Sequence, residues 1–296
     1  NPLAISTLLL PLTTYAGQSP EVTVEAEPWR TQQYSADTNN IIHADSAEVL
    51  KAIPGASVNR NGGLTGIAQY RGFYGDRVSV IIDSASLVSG GPNAMDSPLS
   101  YIPASQLKSI SLDKGATSVS KAQESLGGLI DARSNQGEFS HTHSVVTFGE
   151  INTQFNSQNS ASNTSVLLGA ANSSHKLSIS SSYDEAADSQ FDGGNIDSTS
   201  YQRQRYNITY GYQNNETNLN IRAGKNNTDD SGTPALPMDI TAIDTDLAGF
   251  DLSTKIKSAT LSWASDYSHA YHTMDNFSLR PTPANSRKNI ATGQKI

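Results

Sequence analysis

The sequence predicts a mainly β protein in two parts, a small α/β domain followed by a series of antiparallel strands. Three observations carry this. Between Leu50 and Asp131, short apolar runs are punctuated by Pro54-Gly55, Gly62-Gly63, Gly90-Gly91-Pro92 and Gly127-Gly128, which mark tight turns. From His143 onward, apolar residues fall at every second position in one run after another, the period of a strand with two different faces. Hydrophobic residues make up only 36% of the 296 and mean hydropathy is −0.43, low for a chain that buries all its apolar side chains in a core.

The first domain starts with a short helix over Ala47 to Ile53, with Asp45 or Ser46 as its N-cap. Val78, Val80 and Ile82 then alternate with Arg77, Ser79 and Ile81 in a strand buried on at least one face. In the second part the predicted strands are His143–Glu150, Asn163–Ala171, His175–Tyr183, Arg205–Gln213, Thr217–Gly224 and Ser258–Tyr267. Tyr206, Ile208, Tyr210 and Tyr212 form one face of their strand, and Asn207, Thr209 and Gly211 the other. Such strands suit a barrel with lipid outside and water inside. They suit equally a soluble sandwich or solenoid with the apolar face turned inward, and periodicity leaves both open. Asp184–Ser200 and Asn226–Gly249 read as long polar loops, both acidic. DGGNID lacks the spaced bidentate Glu that a calcium loop needs.

Composition excludes several functions. The net charge of −8 argues against nucleic-acid binding, which needs a basic face. Without cysteine there is no disulfide, thiolate nucleophile or Cys-based metal site. No apolar run reaches the roughly 18 residues of a spanning helix. No nucleophile elbow, P-loop, dinucleotide fingerprint or zinc-protease helix is present, so the chain is not expected to be an enzyme. At the start, Leu3–Leu12 followed by Thr13-Thr14-Tyr15-Ala16 looks like the apolar region and cleavage site of a secretory signal. Residues 1–16 are therefore expected to be a signal remnant, on a piece of a longer secreted protein. Residues 17–36 read as a polar linker. Within it, Glu21, Val22, Thr23, Val24 and Glu25 form a β-prone island that can begin the next domain or add to a partner's sheet edge.

All three methionines, Met95, Met238 and Met274, fall in predicted loops. His272 and Met274, two apart, point the same way on an extended chain. Thioether sulfur suits Cu(I), and imidazole suits copper in either state. Met also fills irregular gaps and a lone His is commonly a surface group, so residue types alone leave metal binding open.

LKAIPGASV (50–58), YRGFYGDRVSVIID (70–83), IPASQLKSISLDKGA (102–116) and LGGLID (126–131), in that order, resemble the plug domain of TonB-dependent outer-membrane receptors. The resemblance covers residues 37–136 and departs from the usual pattern at Ser84, where a Gly normally follows the Asp. It implies that residues 137–296 are the N-terminal part of a transmembrane antiparallel barrel, incomplete here. Large plugged barrels close with about 22 strands, and roughly 160 residues supply about six to eight of them. Glu21–Glu25 resembles a TonB box, implying the TonB energy-transducing protein as partner.

PNAMDSPLSYIPAS (92–105) and HTMDNFSLR (272–280) resemble the copper-type, NosA-like branch. That resemblance implies Met95, His272 and Met274 as copper ligands, with Gly91 where the branch carries a Cys. The implied function is TonB-dependent uptake of a scarce solute across a Gram-negative outer membrane, with copper as cargo and no cofactor required. Ligand is expected between plug loop 90–97 and barrel loop 269–280. A siderophore or vitamin-type chelate is the alternative cargo. A passive β-rich adhesin is the alternative of another class, and it has no use for an N-terminal docking strand.

Overall fold

The computed structural model describes residues 31–35, 44–87, 96–116, 121, 125–280 and 285–295. Asp45 opens the first domain as an N-cap, its Oδ1 accepting the Ala47 N–H at 2.9 Å. The helix it caps, Ser46–Ala52, is 3₁₀. It stops at Ile53, held extended by the proline that follows. Strands β2 (Ala56–Arg60), β3 (Gly66–Tyr70) and β4 (Phe73–Tyr74) form a small antiparallel sheet.

The second sheet contains the predicted strand, β5 (Val78–Ile82), which pairs in parallel with β7 (Gly128–Ser134). Strand β6 (Leu107–Lys114) pairs antiparallel on the other side of β7, and β1 (Thr31–Ser35) pairs antiparallel with β6. Thirty-one to thirty-five were expected to be linker. Thr31 instead lies opposite Asp113 and Ser35 opposite Ser109, so the first domain's sheet starts within the stretch 17–36. The pairing partner β6 lies about eighty residues downstream in the sequence, beyond the reach of local pattern.

Ser84 also finds its reason here. Asp83 and Ser84 have φ of 51° and 72°, and Ile82 and Ala85 exchange backbone hydrogen bonds of 2.8 Å around them. A two-residue turn of this kind favours Asn, Asp or Gly. Here Ser84 is retained with its hydroxyl accepting a hydrogen bond from Arg133 Nη1 at 2.8 Å.

The second part is one eight-stranded antiparallel sheet in the order β17-β16-β15-β14-β13-β10-β9-β8. In chain order these are β8 (Val146–Asn156), β9 (Ala161–Ala171), β10 (His175–Ala186), β13 (Tyr201–Gln213), β14 (Thr217–Ser231), β15 (Asp239–Ile256), β16 (Ala259–Asp275) and β17 (Lys288–Lys295). A small hairpin, β11 (Ser189–Phe191) and β12 (Gly194–Ile196), is inserted between β10 and β13. Turns at one end are short, at 172–174, 214–216 and 257–258; the longer connections gather at the other end.

Burial decides between the two readings of the alternating strands. Along β10 and β13 the exposed face carries Leu177, Ile179, Tyr206 and Ile208, while Ser178, Ser180, Ser182 and Thr209 are buried. Ile179 is 57% exposed and Trp263 63%, against 3% for Ser178 and 1% for Thr209. A soluble sandwich does the reverse. The apolar face points outward and the polar face inward against the first domain, as in a barrel in lipid. Among the described residues no helix is long and apolar enough to cross a membrane.

Two predicted loops shrink. Asn226–Gly249 is mostly strand: β14 runs to Ser231 and β15 begins at Asp239, leaving 232–238 as the connection. Asp184–Ser200 gives its first residues to β10 and others to the β11–β12 hairpin. His272 and Met274 lie in β16 rather than in a loop.

The core of the first domain continues into the barrel wall. Leu50, Leu99, Tyr101, Ile102, Ile110, Leu112 and Ile130 share one buried cluster with Ile240, Ile243 and Met274 of β15 and β16.

Candidate functional site

On β16 the residues facing the first domain are Ser268, Ala270, His272 and Met274, all buried, while Tyr267 and Tyr271, on the other face, are exposed. His272 is opposite Ile243 on β15 and Ala291 on β17, and Met274 is opposite Ile240 and Asn289. Their i, i+2 spacing therefore does put both on one inner face, at the long-connection end of the wall. A register shift between Ile240 and Ala242 lies beside Met274, the kind of bulge that re-aims side chains near sites.

His272 has no exposed surface, and among the described residues neither of its ring nitrogens has a hydrogen-bond partner. A neutral imidazole has one donor and one acceptor, and leaving both unsatisfied in a buried setting is costly. Met274 adds a buried thioether on the same face, inside the apolar cluster. Asp96 faces them from the first domain: its carboxylate is buried, accepts the Tyr101 Oη–H at 2.9 Å and acts electrostatically on His272. Burial first, and then Asp96, pushes the Tyr101 phenol well above its usual value.

Met238 packs against the same cluster from the 232–238 connection. Asp239 anchors that connection. Its Oδ1 accepts from the Thr233 N–H at 2.7 Å and from Arg280 Nη2 at 2.8 Å, and its Oδ2 accepts from Arg280 Nε at 2.5 Å. Thr233 Oγ1 donates to the Met238 carbonyl at 2.6 Å. Two connections, before β15 and after β16, are thereby tied over one site.

Met95 and Gly91 lie outside the described residues, as do Glu21, Val22, Thr23, Val24 and Glu25. Of the predicted ligands, His272 and Met274 are brought together. Asp96 follows Met95 in the chain and is buried.

The inner face of β13 holds two residues that sequence reading passed over. Arg203 is fully buried, with Nε and Nη2 both 2.9 Å from Oδ2 of Asp184, its register partner on β10. Its other donors cross to the first domain, to the Ser100 carbonyl at 2.8 Å and the Ala44 carbonyl at 2.9 Å. Arg205 Nη1 donates to Gln106 Oε1 at 2.6 Å, and its guanidinium is 3.7 Å from Asp83. The signal was available: two arginines, two apart, on the inward face of a barrel strand.

Residues 30–129 match the model of the TonB-dependent Receptor Plug Domain. Among solved structures, the chain superposes on the copper transporter OprC with a TM-score of 0.77 at 23% identity, covering 86% of this chain and 39% of that one. It superposes on the siderophore receptor PirA from Acinetobacter baumannii with a TM-score of 0.64 at 11% identity, covering 90% of this chain and 44% of that one. The ferric enterobactin receptor PfeA gives 0.59 at 12% identity over 93% of this chain and 45% of its own. The chain thus spans less than half the length of the solved structures it matches. No curated protein sequence matches it.

Proposed function

From a chain that carries a TonB-dependent receptor plug domain, joined to part of the barrel fold of those receptors, we propose copper uptake across the outer membrane. The plug is the domain seated against the inner face of the barrel wall. The cargo is a copper ion held by Met95, His272 and Met274. One observation carries the reading: a buried imidazole with neither nitrogen satisfied among the described residues, beside a buried thioether on the same inner face. That donor set fits a soft or borderline ion, Cu(I) above all. The thiolate of the copper-type pattern is missing at Gly91, and Asp96 brings a negative charge to the same neighbourhood.

The chain's own groups divide the work. His272 and Met274, on a paired strand, supply donors fixed by the barrel wall. Met95 supplies a donor from the plug, so the cargo bridges the two parts. The long connections lie on the extracellular side of barrels of this class, which opens the site to the outside. On the other side, Glu21–Glu25 docks the TonB protein by strand addition, with backbone hydrogen bonds giving affinity.

Cu(I) titration of the complete receptor tests this, with Met95→Ala and His272→Ala/Met274→Ala beside it. One copper per protein, lost or weakened at least a hundredfold in both variants, is expected. Full copper binding by the His272→Ala/Met274→Ala protein sinks the assignment.

A further inference from the structure

A cavity of about 360 Å³ opens at the same end of the wall but over different strands. It lies between the plug turn at Arg60–Gly63, the β8–β9 hairpin, the start of β13 and the 232–238 connection, which contributes Pro234 and Ala235. Its lining is rich in amides: Asn61, Asn156, Gln158 and Asn159, with the Tyr201 phenol beside them. Asn61, in the plug turn, is only 6% exposed. The Asn159 side-chain oxygen, Oδ1, is buried and has no hydrogen-bond partner among the described residues. Buried amides ordinarily have partners, and each of these offers both a donor and an acceptor.

Charge narrows what fits. Arg60 is the one charged residue among the described lining, and Glu48 neutralises it at 2.7 Å. Among the described lining a bare cation finds no carboxylate, and an anion finds no unpaired guanidinium. The site is also firmly built. A Cβ on Gly62 would lie 2.0 Å from the Gly232 carbonyl oxygen, and one on Gly63 would lie 2.6 Å from the Tyr201 ring. Only glycines let the plug turn press this closely on the wall, so the cavity is preformed by contact of plug and barrel.

We propose that this cavity is a second binding site, for an uncharged ligand of disaccharide size that presents both hydroxyl and amide groups. Its volume is within the usual range for small-molecule sites, on the order of 300–1,000 Å³. The ligand would touch the plug through Asn61 and the barrel through Asn156, Gln158 and Asn159, so its binding reports the same plug–wall contact that the copper site bridges. It depends on no metal.

The test is calorimetry on the complete receptor in the presence of a metal chelator, with N,N′-diacetylchitobiose as the uncharged probe and citrate as the anionic one. The sugar is expected to bind and citrate to give no heat. Asn61→Ala should weaken the sugar at least tenfold, and Gln158→Ala, at an exposed side chain whose loss does not threaten folding, several-fold. No sugar binding, unchanged affinity in the Gln158→Ala and Asn61→Ala proteins, or displacement of the sugar by citrate would each overturn the proposal. Copper titration, done separately, leaves this outcome independent of the metal site.

Discussion

At the scale of single residues, burial of polar groups is what separates function from packing in this chain. Among the described residues His272 has two unsatisfied nitrogens and Asp45 one unsatisfied oxygen, the latter a structural rather than a ligand-binding case. Asp45 Oδ1 caps the first helix, while Oδ2 is buried and has no partner among them. Burial raises its carboxyl to about 6, opposed by the Ala47 hydrogen bond and by the charges of Arg60 and Arg203. A folded-state value above the unfolded one means that the folded protein binds the proton more tightly. Between about pH 4 and pH 6 stability therefore falls as pH rises, by about 3 kcal/mol in total, and it is flat below that window and above it. Asp45→Asn, which keeps the cap, should abolish this contribution. Denaturant midpoints of both proteins at pH 4 and pH 7 check it, and an equal fall in the two would show that another group is responsible. Asp45 was readable as a cap from its position before the helix. Its desolvation was not, because the residues packed against it, such as Gly66 and Pro103, come from other elements.

At the scale of elements, the strands were legible only where their two faces meet different solvents. The lower half of β14, with Leu219, Ile221 and Ala223 outward, alternates clearly. Its upper half, Lys225 to Ser231, is polar on both faces, and at the facing start of β15 the register shift between Ile240 and Ala242 turns Ile240 and Ile243, three apart, into the same core. There the period-2 contrast disappears, and the segment reads as loop. The same blindness placed His272 and Met274 in a loop when they are on the upper part of β16. In the plug, β5 was legible because Val78, Val80 and Ile82 alternate with Arg77 and Ser79, whereas β1 was not, because its pairing is decided by β6. The arginines of β13 follow the same logic: inward-facing charges in a barrel strand are invisible to periodicity, yet they hold the plug. Arg203 is neutralised within the wall by Asp184 and gives the plug only carbonyl hydrogen bonds. Those bonds can break without stranding a charge. Removing one partner does strand it: Arg203→Ala should destabilise the receptor by about 3–5 kcal/mol, and Arg203→Met/Asp184→Leu should recover most of that. Unfolding in detergent compares the three proteins, and a double variant no better than the single one would mean that the carbonyl bonds, not the buried charge, dominate.

At the scale of the whole molecule, the two proposed contacts of the plug lie on separate parts of the chain. The proposed copper donors His272 and Met274 belong to a strand paired on both sides, so the wall holds them whatever the plug does. The candidate docking strand, Glu21–Glu25, precedes β1 by only a few residues. On the proposed reading a pull on it reaches the edge of the plug sheet, where among the described residues β1 pairs with β6 alone, and from there the plug half of the proposed copper site. Binding and transport should consequently separate. Val22→Pro/Val24→Pro removes two backbone donors from the docking strand and should abolish energised copper uptake by cells while leaving the Cu(I) affinity of the purified receptor unchanged. Uptake that survives the prolines would place the docking strand elsewhere. Loss of affinity together with uptake would mean that the N-terminal segment takes part in holding the metal, and that the pull acts on the site directly rather than through the plug sheet.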